Sequence, residues 1–425
     1  MENENKKSSG KLKFFLGGTA IGVVLGNVGM VVLLFGFFVV KTIVTMQDTP
    51  SPQEYLGNNE ITISEDSIIT GDFIKKVIQM ENIIQKRFYL HEVDTKELEA
   101  GAYRGIVQAL DDVYSEYYTP EELEELMSDS DGTYYGIGAY VSIDETTNLP
   151  KISGVIKNSP AEAVDLHADD LIYKVGGTAT NGMSLTEVVK LIKGPEGTQV
   201  EIIVIRDSEE MTFTLTRSKV ETPTVETEMM QDGIGYLRLT EFDKISTDQF
   251  KEGMKTLRDA GMKGMILDLR SNPGGNLSTV VEIARMMLPK GLIVYTQDTA
   301  GKREEYTCNG KNELDIPLVV LIDGNSASAS EILAGAIQDY GIGTLVGTTS
   351  FGKGIVQGIM PLDDGSAMKL TISAYYTPNG RNIHGTGIEP DVVCEFDSDK
   401  YYDSNKEEDN QLEKAIEVLK EKMNQ

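Results

Sequence analysis

At 425 residues the chain is long enough for two or three domains, each with its own core. Its 40% hydrophobic and 25% charged content is that of a globular protein, but a formal net charge of −28 argues against a nucleic-acid partner, since no Lys/Arg stripe with interleaved aromatics offsets the repulsion. Cys308 and Cys394 belong to no CxxC pair and the three histidines build no HExxH spacing, so no zinc-ligand spacing is present; the cysteines read as unpaired core residues, with a disulfide outside the cell as the alternative.

No charged residue occurs from Phe14 to Val40, a run longer than the ~20 residues a helix needs to cross a bilayer. No small-x-small cleavage pattern closes it, so residues 14–44 read as an uncleaved transmembrane anchor. Lys6, Lys7, Lys11 and Lys13 precede the span and only Lys41 follows closely, which keeps residues 1–13 in the cytoplasm and everything after the span outside. Residues 45–62, polar with two prolines, form a tether.

Residues 63–131 read as helical. An apolar face carrying Phe73, Ile74, Val77, Ile78, Ile83 and Ile84 marks one helix, Thr95–Leu110 a second, and Thr119 before Pro120 and two acids opens a third. From residue 132 to 218 the texture changes to short β-like runs broken by turns, with one helix over Ser184–Ile192 opened by a Ser184/Glu187 capping box. Residues 219–396 alternate strands with helices, and the near-continuous apolar strands GMILDLR and PLVVLID predict an α/β core built on a mainly parallel sheet. The tail, 397–425, carries a helix over Asn410–Met423 whose apolar face fits docking on this chain or on a second copy; with the helical region it allows a homodimer.

Three segments of the α/β region place unusual residues at strand ends, where open sheets hold their sites. Asp268–Gly275 ends a strand in a Pro-Gly-Gly turn whose backbone N–H groups can approach an oxyanion; a plain tight turn is the alternative. Asp323–Glu331 sets small residues and Ser328 ahead of a helix, although Ser328-x-x-Glu331 is also a capping-box pattern and Ser326 an alternative cap. Gly347–Gly354 is a near miss for a phosphate loop, because Gly354 replaces the required Ser/Thr and a strand-like run follows. What remains there is Lys353 between glycines. A serine at a helix start with a sheltered lysine suggests acyl transfer, for which the lysine's pKa must fall ~3 units from ~10.4. His384 is the competing base but lacks a recognisable orienting carboxylate.

LDLRSNPGG, NSASASEILAGAIQD, TSFGKGIVQ and GTGIEPDV, in this order, resemble the carboxyl-terminal processing (tail-specific) serine peptidase family. The resemblance implies Ser328 as nucleophile, Lys353 as general base, Gln357 as the residue orienting the lysine, and Ala329 with Gly274 or Gly275 as oxyanion donors. It assigns His384 no role and requires no metal or cofactor. DDVYSEYYTPEE is similar to the family's segment before its PDZ domain, and residues 132–218 to that domain. Tyr135, Gly136, Ile137, Gly138 and Ala139 would then form the loop that captures a peptide's C-terminal carboxylate. One departure is Asp169-Asp170 where the family has Gly-Asp, so either Asp169 accepts a glycine's backbone role or the turn is different. The implied activity is serine endoproteolysis near the C-termini of extracytoplasmic proteins; the alternative is a non-catalytic, membrane-tethered PDZ adaptor.

Overall fold

A computed structural model describes residues 67–403 and 408–425. The expected cytoplasmic tail, transmembrane span and tether, residues 1–62, lie outside the described residues. Among the described residues no helix is long and apolar enough to cross a membrane. The chain divides into two units, one ending at Val93 and one running from Asp94 to Gln425.

In the first unit, α1 (Gly71–Arg87) is capped by Thr70, whose hydroxyl accepts the Phe73 N–H. It buries none of its residues, so its apolar face is exposed.

The second unit opens with α2 (Thr95–Gln108), β1 (Glu116–Tyr118) and α3 (Pro120–Asp131). Thr119 caps α3 in a complete capping box with Glu122, and Gly132 ends it in a left-handed turn at φ 71°. The β-rich module follows: β2 (Thr133–Gly136), β3 (Ala139–Ile143), β4 (Pro150–Val155), the short α4 (Pro160–Ala163), β5 (Leu171–Val175), β6 (Thr178–Ala179), α5 (Leu185–Ile192), β7 (Gln199–Arg206), β8 (Glu209–Thr216) and β9 (Ser218–Glu221). Its own core includes Ile137, Ile152, Ile172, Val188, Ile202, Val204 and Leu215. β2 and β9, where the chain enters and leaves the module, pair as an antiparallel ribbon. Asp169 adopts φ 70°, so the aspartate does take the backbone role expected of a glycine, while Asp170 is buried against Arg206.

The α/β region contains β10 (Val225–Met229), β11 (Ile234–Leu239), α6 (Ser246–Asp259), β12 (Gly264–Asp268), α7 (Leu277–Ala284), β13 (Gly291–Asp298), β14 (Arg303–Cys308), β15 (Leu318–Ile322), α8 (Ala329–Tyr340), β16 (Thr344–Gly347), β17 (Ile355–Pro361), β18 (Ala367–Tyr376) and β19 (Val392–Val393). After it come α9 (Ser398–Asp403) and α10 (Asn410–Met423). Every residue of β12 and β15 is buried, which explains their unbroken apolar runs: Leu267 and Val320 face one layer, Ile266 and Val319 the other. The first layer is supplied by α6, α7 and α8. The second is supplied by α10, whose Ala415 and Leu419 are buried there, so the tail helix docks on its own chain.

The expectation of a mainly parallel core needs correction. Among the described residues the strands form four sheets, and three are antiparallel throughout. Only the six-stranded sheet β10-β11-β12-β15-β16-β19 is mainly parallel. Strands β13, β14, β17 and β18 leave it to build a separate five-stranded antiparallel sheet with β1. The physical reason lies in the connections. The β13–β14 and β17–β18 links are short hairpin loops, which cannot make the crossover that parallel pairing needs. Cys308 and Cys394 are unpaired, the first buried and the second half-buried.

Candidate active site

The three motif segments meet beyond the C-terminal ends of β12, β15 and β16. Hydrogen bonds stitch them together. Ser326 Oγ donates to the Leu269 carbonyl at 2.7 Å, the Ala327 N–H to the Asn272 carbonyl at 3.0 Å, and the Phe351 N–H to the Ser326 carbonyl at 3.0 Å.

Ser328 stands at the N-cap of α8 with φ 53° and ψ −111°. A non-glycine residue held there costs about 1–3 kcal/mol and persists only where its surroundings over-determine it. Those surroundings are on view. The buried Tyr375 hydroxyl donates to the Ser328 carbonyl at 3.0 Å, and the Ser328 N–H donates to Glu331 Oε2 at 2.9 Å. The Ser328 hydroxyl makes no side-chain cap hydrogen bond of full geometry, although Ser328 and Glu331 stand in the capping-box arrangement that the sequence suggests.

Glu331 is the hub. Fully buried, it accepts four hydrogen bonds: Ser328 N–H and Lys353 N–H on Oε2, each at 2.9 Å, and Gly352 N–H at 2.7 Å and the Ser350 hydroxyl at 2.6 Å on Oε1. One carboxylate oxygen therefore anchors the backbones of Ser328 and Lys353 together. Ser350 Oγ also accepts the Ile388 N–H at 2.7 Å, which brings the GTGIEPDV segment into the same network.

Lys353 is half-buried. Burial, helped by the nearby Lys369, holds its pKa below the ordinary lysine value, while Asp112 and Glu331 pull the other way. Its Nζ lies 4.7 Å from the centroid of the Tyr114 ring and makes no hydrogen bond among the described residues. Gln357 Nε2 donates to Thr371 Oγ1 at 3.1 Å, and Thr371 Oγ1 donates to Asp112 Oδ2 at 2.7 Å. Gln357 is thus tied to the lysine's surroundings through Thr371 and Asp112 and not by a bond to Nζ. The ring of His384 is exposed, and the residue meets the lysine loop through its backbone, against Gly354.

The glycine turn packs on the serine. A Cβ at Gly274 would fall 2.8 Å from Ser328 Cβ and 2.9 Å from Ala329 N. The N–H of Gly274 is already engaged by Asn272 Oδ1 at 2.9 Å. Those of Gly275 and Ala329 have no acceptor among the described residues. Of the two glycines, Gly275 is therefore the one whose N–H has no acceptor among the described residues. Behind the turn, Arg270 pairs with Asp268 and with Asp409 at the start of α10, and these contacts raise its pKa despite burial.

In the β-rich module, β3 is an edge strand and α5 packs beside it. Gly136, Ile137 and Gly138 are buried, Ala139 starts β3, and Tyr135 is exposed with its carbonyl accepting the Gly194 N–H. The N–H groups of Ile137 and Gly138 have no acceptor among the described residues, which suits capture of a carboxylate.

Comparison with known proteins identifies the family. Residues 233–394 match the model of peptidase family S41, residues 151–206 a PDZ domain, and residues 30–122 the N-terminal domain of the activating protease CtpB. A carboxyl-terminal-processing protease of Synechocystis is 31% identical over 385 residues, covering 89% of this chain and 90% of that protein. The carboxy-terminal processing protease CtpA of Bacillus subtilis is 33% identical over 363 residues, covering 82% and 77%. The chain belongs to peptidase family S41. Among solved structures, the photosystem II D1 C-terminal processing protease is 30% identical, with a TM-score of 0.46 over 80% of this chain and 90% of that one. This S41 peptidase is accordingly a serine-type peptidase carrying a PDZ domain.

Several residues of the site escaped the motif reading. Glu331 looked like a helix cap, and Asn272 like part of a turn. Asp112 and Tyr114 lie in the segment DDVYSEYYTPEE, but neither they nor Thr371 signalled a role at the site, since Asp112 and Thr371 meet across 259 positions of sequence.

Proposed function

We propose that this S41 peptidase is a membrane-anchored endopeptidase that cleaves extracytoplasmic proteins near their C-termini with a Ser328–Lys353 dyad. The reading rests chiefly on the shared Glu331 carboxylate, which holds the serine and lysine backbones at one point beside the unengaged N–H groups of Gly275 and Ala329. In this reading residues 132–218 grip a substrate tail through the Tyr135–Ala139 loop, and residues 219–396 cut it.

Lys353 Nζ, in the neutral form that burial favours, takes the Ser328 Oγ proton as the oxygen bonds to the scissile carbonyl carbon. The oxyanion accepts from Gly275 N–H and Ala329 N–H. The Lys353 ammonium then gives its proton to the departing amine nitrogen as the C–N bond breaks, and water releases the acyl group by the reverse sequence. Anchoring through residues 14–44 rests on the apolar run and the lysines before it. A homodimer rests on the exposed apolar face of α1, and sedimentation showing only monomer would remove it.

The test uses the full chain in detergent, incubated with an unfolded protein ending in apolar residues, with fragments followed by mass spectrometry. Wild type is expected to cleave and Ser328→Ala and Lys353→Ala to be silent. Cleavage that survives Lys353→Ala refutes the lysine base. Wild type that binds tails without cutting them favours the adaptor.

A further inference from the structure

We propose that Tyr114 is a positioning residue for the Lys353 base, its ring face receiving the ammonium that forms as the lysine takes the serine proton, so that the segment upstream of the PDZ domain completes the active site. The proposal rests on the Ser328–Lys353 reading.

The ring centroid lies 4.7 Å from Lys353 Nζ, within the range of a cation–π contact. The backbone that carries the ring is held in place. Tyr114 N–H donates to Asp112 Oδ1 at 3.1 Å, and Ser115 Oγ to Asp112 Oδ2 at 2.6 Å. Thr371 of β18 donates its N–H to Ser115 Oγ at 3.1 Å and its hydroxyl to Asp112 Oδ2 at 2.7 Å. Directly after this loop β1 pairs antiparallel with β18, Glu116 opposite Lys369 and Tyr118 opposite Ala367. Position 114 is thereby fixed to the sheet that also carries Gln357.

The contact has the differential character that catalysis requires. A ring over the amine excludes water on that side, which suits the neutral base at rest. When the amine becomes an ammonium, the negative π face attracts it, so the contact strengthens as the transition state is approached. The other groups facing Nζ are Asp112 from the same loop and Glu331 from α8, which favour the ammonium, and Lys369 from β18, which opposes it. Asp112 is well supplied with hydrogen-bond donors: Ser115 first and then Thr371 and the Tyr114 N–H hold its carboxyl below the usual range, so it stays charged beside the lysine.

The experiment uses the full chain and a synthetic, unstructured, quenched-fluorescence peptide with an apolar C-terminus, with kcat and KM measured from pH 5 to 10. Tyr114→Phe, which keeps the π face, is the reference. Relative to it, Tyr114→Leu is expected to lower kcat roughly threefold to thirtyfold with KM unchanged. It should also move the acidic limb of the kcat profile to lower pH, because an ammonium without its π partner loses its proton more readily. Phenylalanines of increasing fluorination at position 114 keep the shape and weaken the π face, so they test the idea even where Leu disturbs folding; kcat should fall stepwise along that series. A flat series, or Tyr114→Leu matching Tyr114→Phe in both kcat and pH profile, overturns the proposal while Lys353→Ala remains inactive. If Lys353→Ala still cleaves, the dyad reading has failed and the proposal falls with it.

Discussion

Replacing Glu331 by Gln changes one atom and tests how the site is held together. The carboxylate accepts two N–H groups on Oε2 and one N–H and one hydroxyl on Oε1. An amide has only one acceptor oxygen. With its NH2 at the Oε2 position, the N–H groups of Ser328 and Lys353 are both orphaned in the buried site. With NH2 at the Oε1 position, Gly352 N–H is orphaned, and the Ser350 hydroxyl must turn away while still accepting from Ile388. Each buried N–H left without an acceptor costs about 1–3 kcal/mol, and the bonds that survive lose their charge assistance, about 1 kcal/mol each. The expected destabilisation is roughly 3–5 kcal/mol, read as a lower midpoint in urea for the full chain. Because Ser328 and Lys353 lose their common anchor, kcat should also fall at least about tenfold, in line with the sensitivity of catalysis to small misplacements. A Glu331→Gln protein with an unchanged midpoint and unchanged kcat would refute the reasoning outright.

Two further outcomes follow from the geometry. Gly275 has φ 141°, and a Cβ there would lie 2.6 Å from the Phe242 carbonyl oxygen, so Gly275→Ala must displace the turn. Loss of that donor is expected to cost roughly a hundredfold in kcat with little change in KM, and equal kinetics would show that the oxyanion is held elsewhere. The buried Asp243, raised by burial and then by Glu241 and Asp129 to a pKa of about 7, makes stability fall with rising pH. Between the unfolded value near 3.8 and about 7 the folded chain holds a proton that the unfolded chain has released, so stability is lost across that window and levels off above it. The loss is at most about 4 kcal/mol; wild type should melt lower at pH 8 than at pH 5, and Asp243→Asn should remove most of that difference.

Much of this was legible because it is local. Thr119 and Ser184 announced their helices by capping boxes that the structure forms with Glu122 and Glu187. The apolar runs of β12 and β15 announced buried parallel strands, and the departure at Asp169 resolved as a left-handed aspartate. The antiparallel sheet was missed because β13, β14, β17 and β18 are only partly buried, so they lack the continuous apolar signature and are set by their hairpin links. Asn272 occupies the Gly274 N–H through a side-chain contact that spans two residues, yet nothing in the letters Asn-Pro-Gly-Gly says which N–H it takes. Asp112 and Tyr114 belong to the site only because β1 crosses to β18, a pairing that no local pattern predicts.

The charge of the chain sets the problem that this arrangement answers. With a net charge of −28, the field of the whole molecule favours protonated lysines, whereas a lysine base must spend time neutral. Burial works against that field at Lys353, and so does the like charge of Lys369. Lys369 can play that part only while it stays charged. Burial draws its own pKa down, but the Tyr118 hydroxyl and the Glu116 carboxylate more than offset this, leaving it raised. Both partners lie on β1, on the segment that also carries Tyr114 and Asp112. The residues before the PDZ domain therefore act on the lysine in two opposed ways: they keep its repelling neighbour charged, and they offer its ammonium a ring and a carboxylate once it forms. In the proposed dyad, a base that must both lose and regain a proton in each turnover needs both.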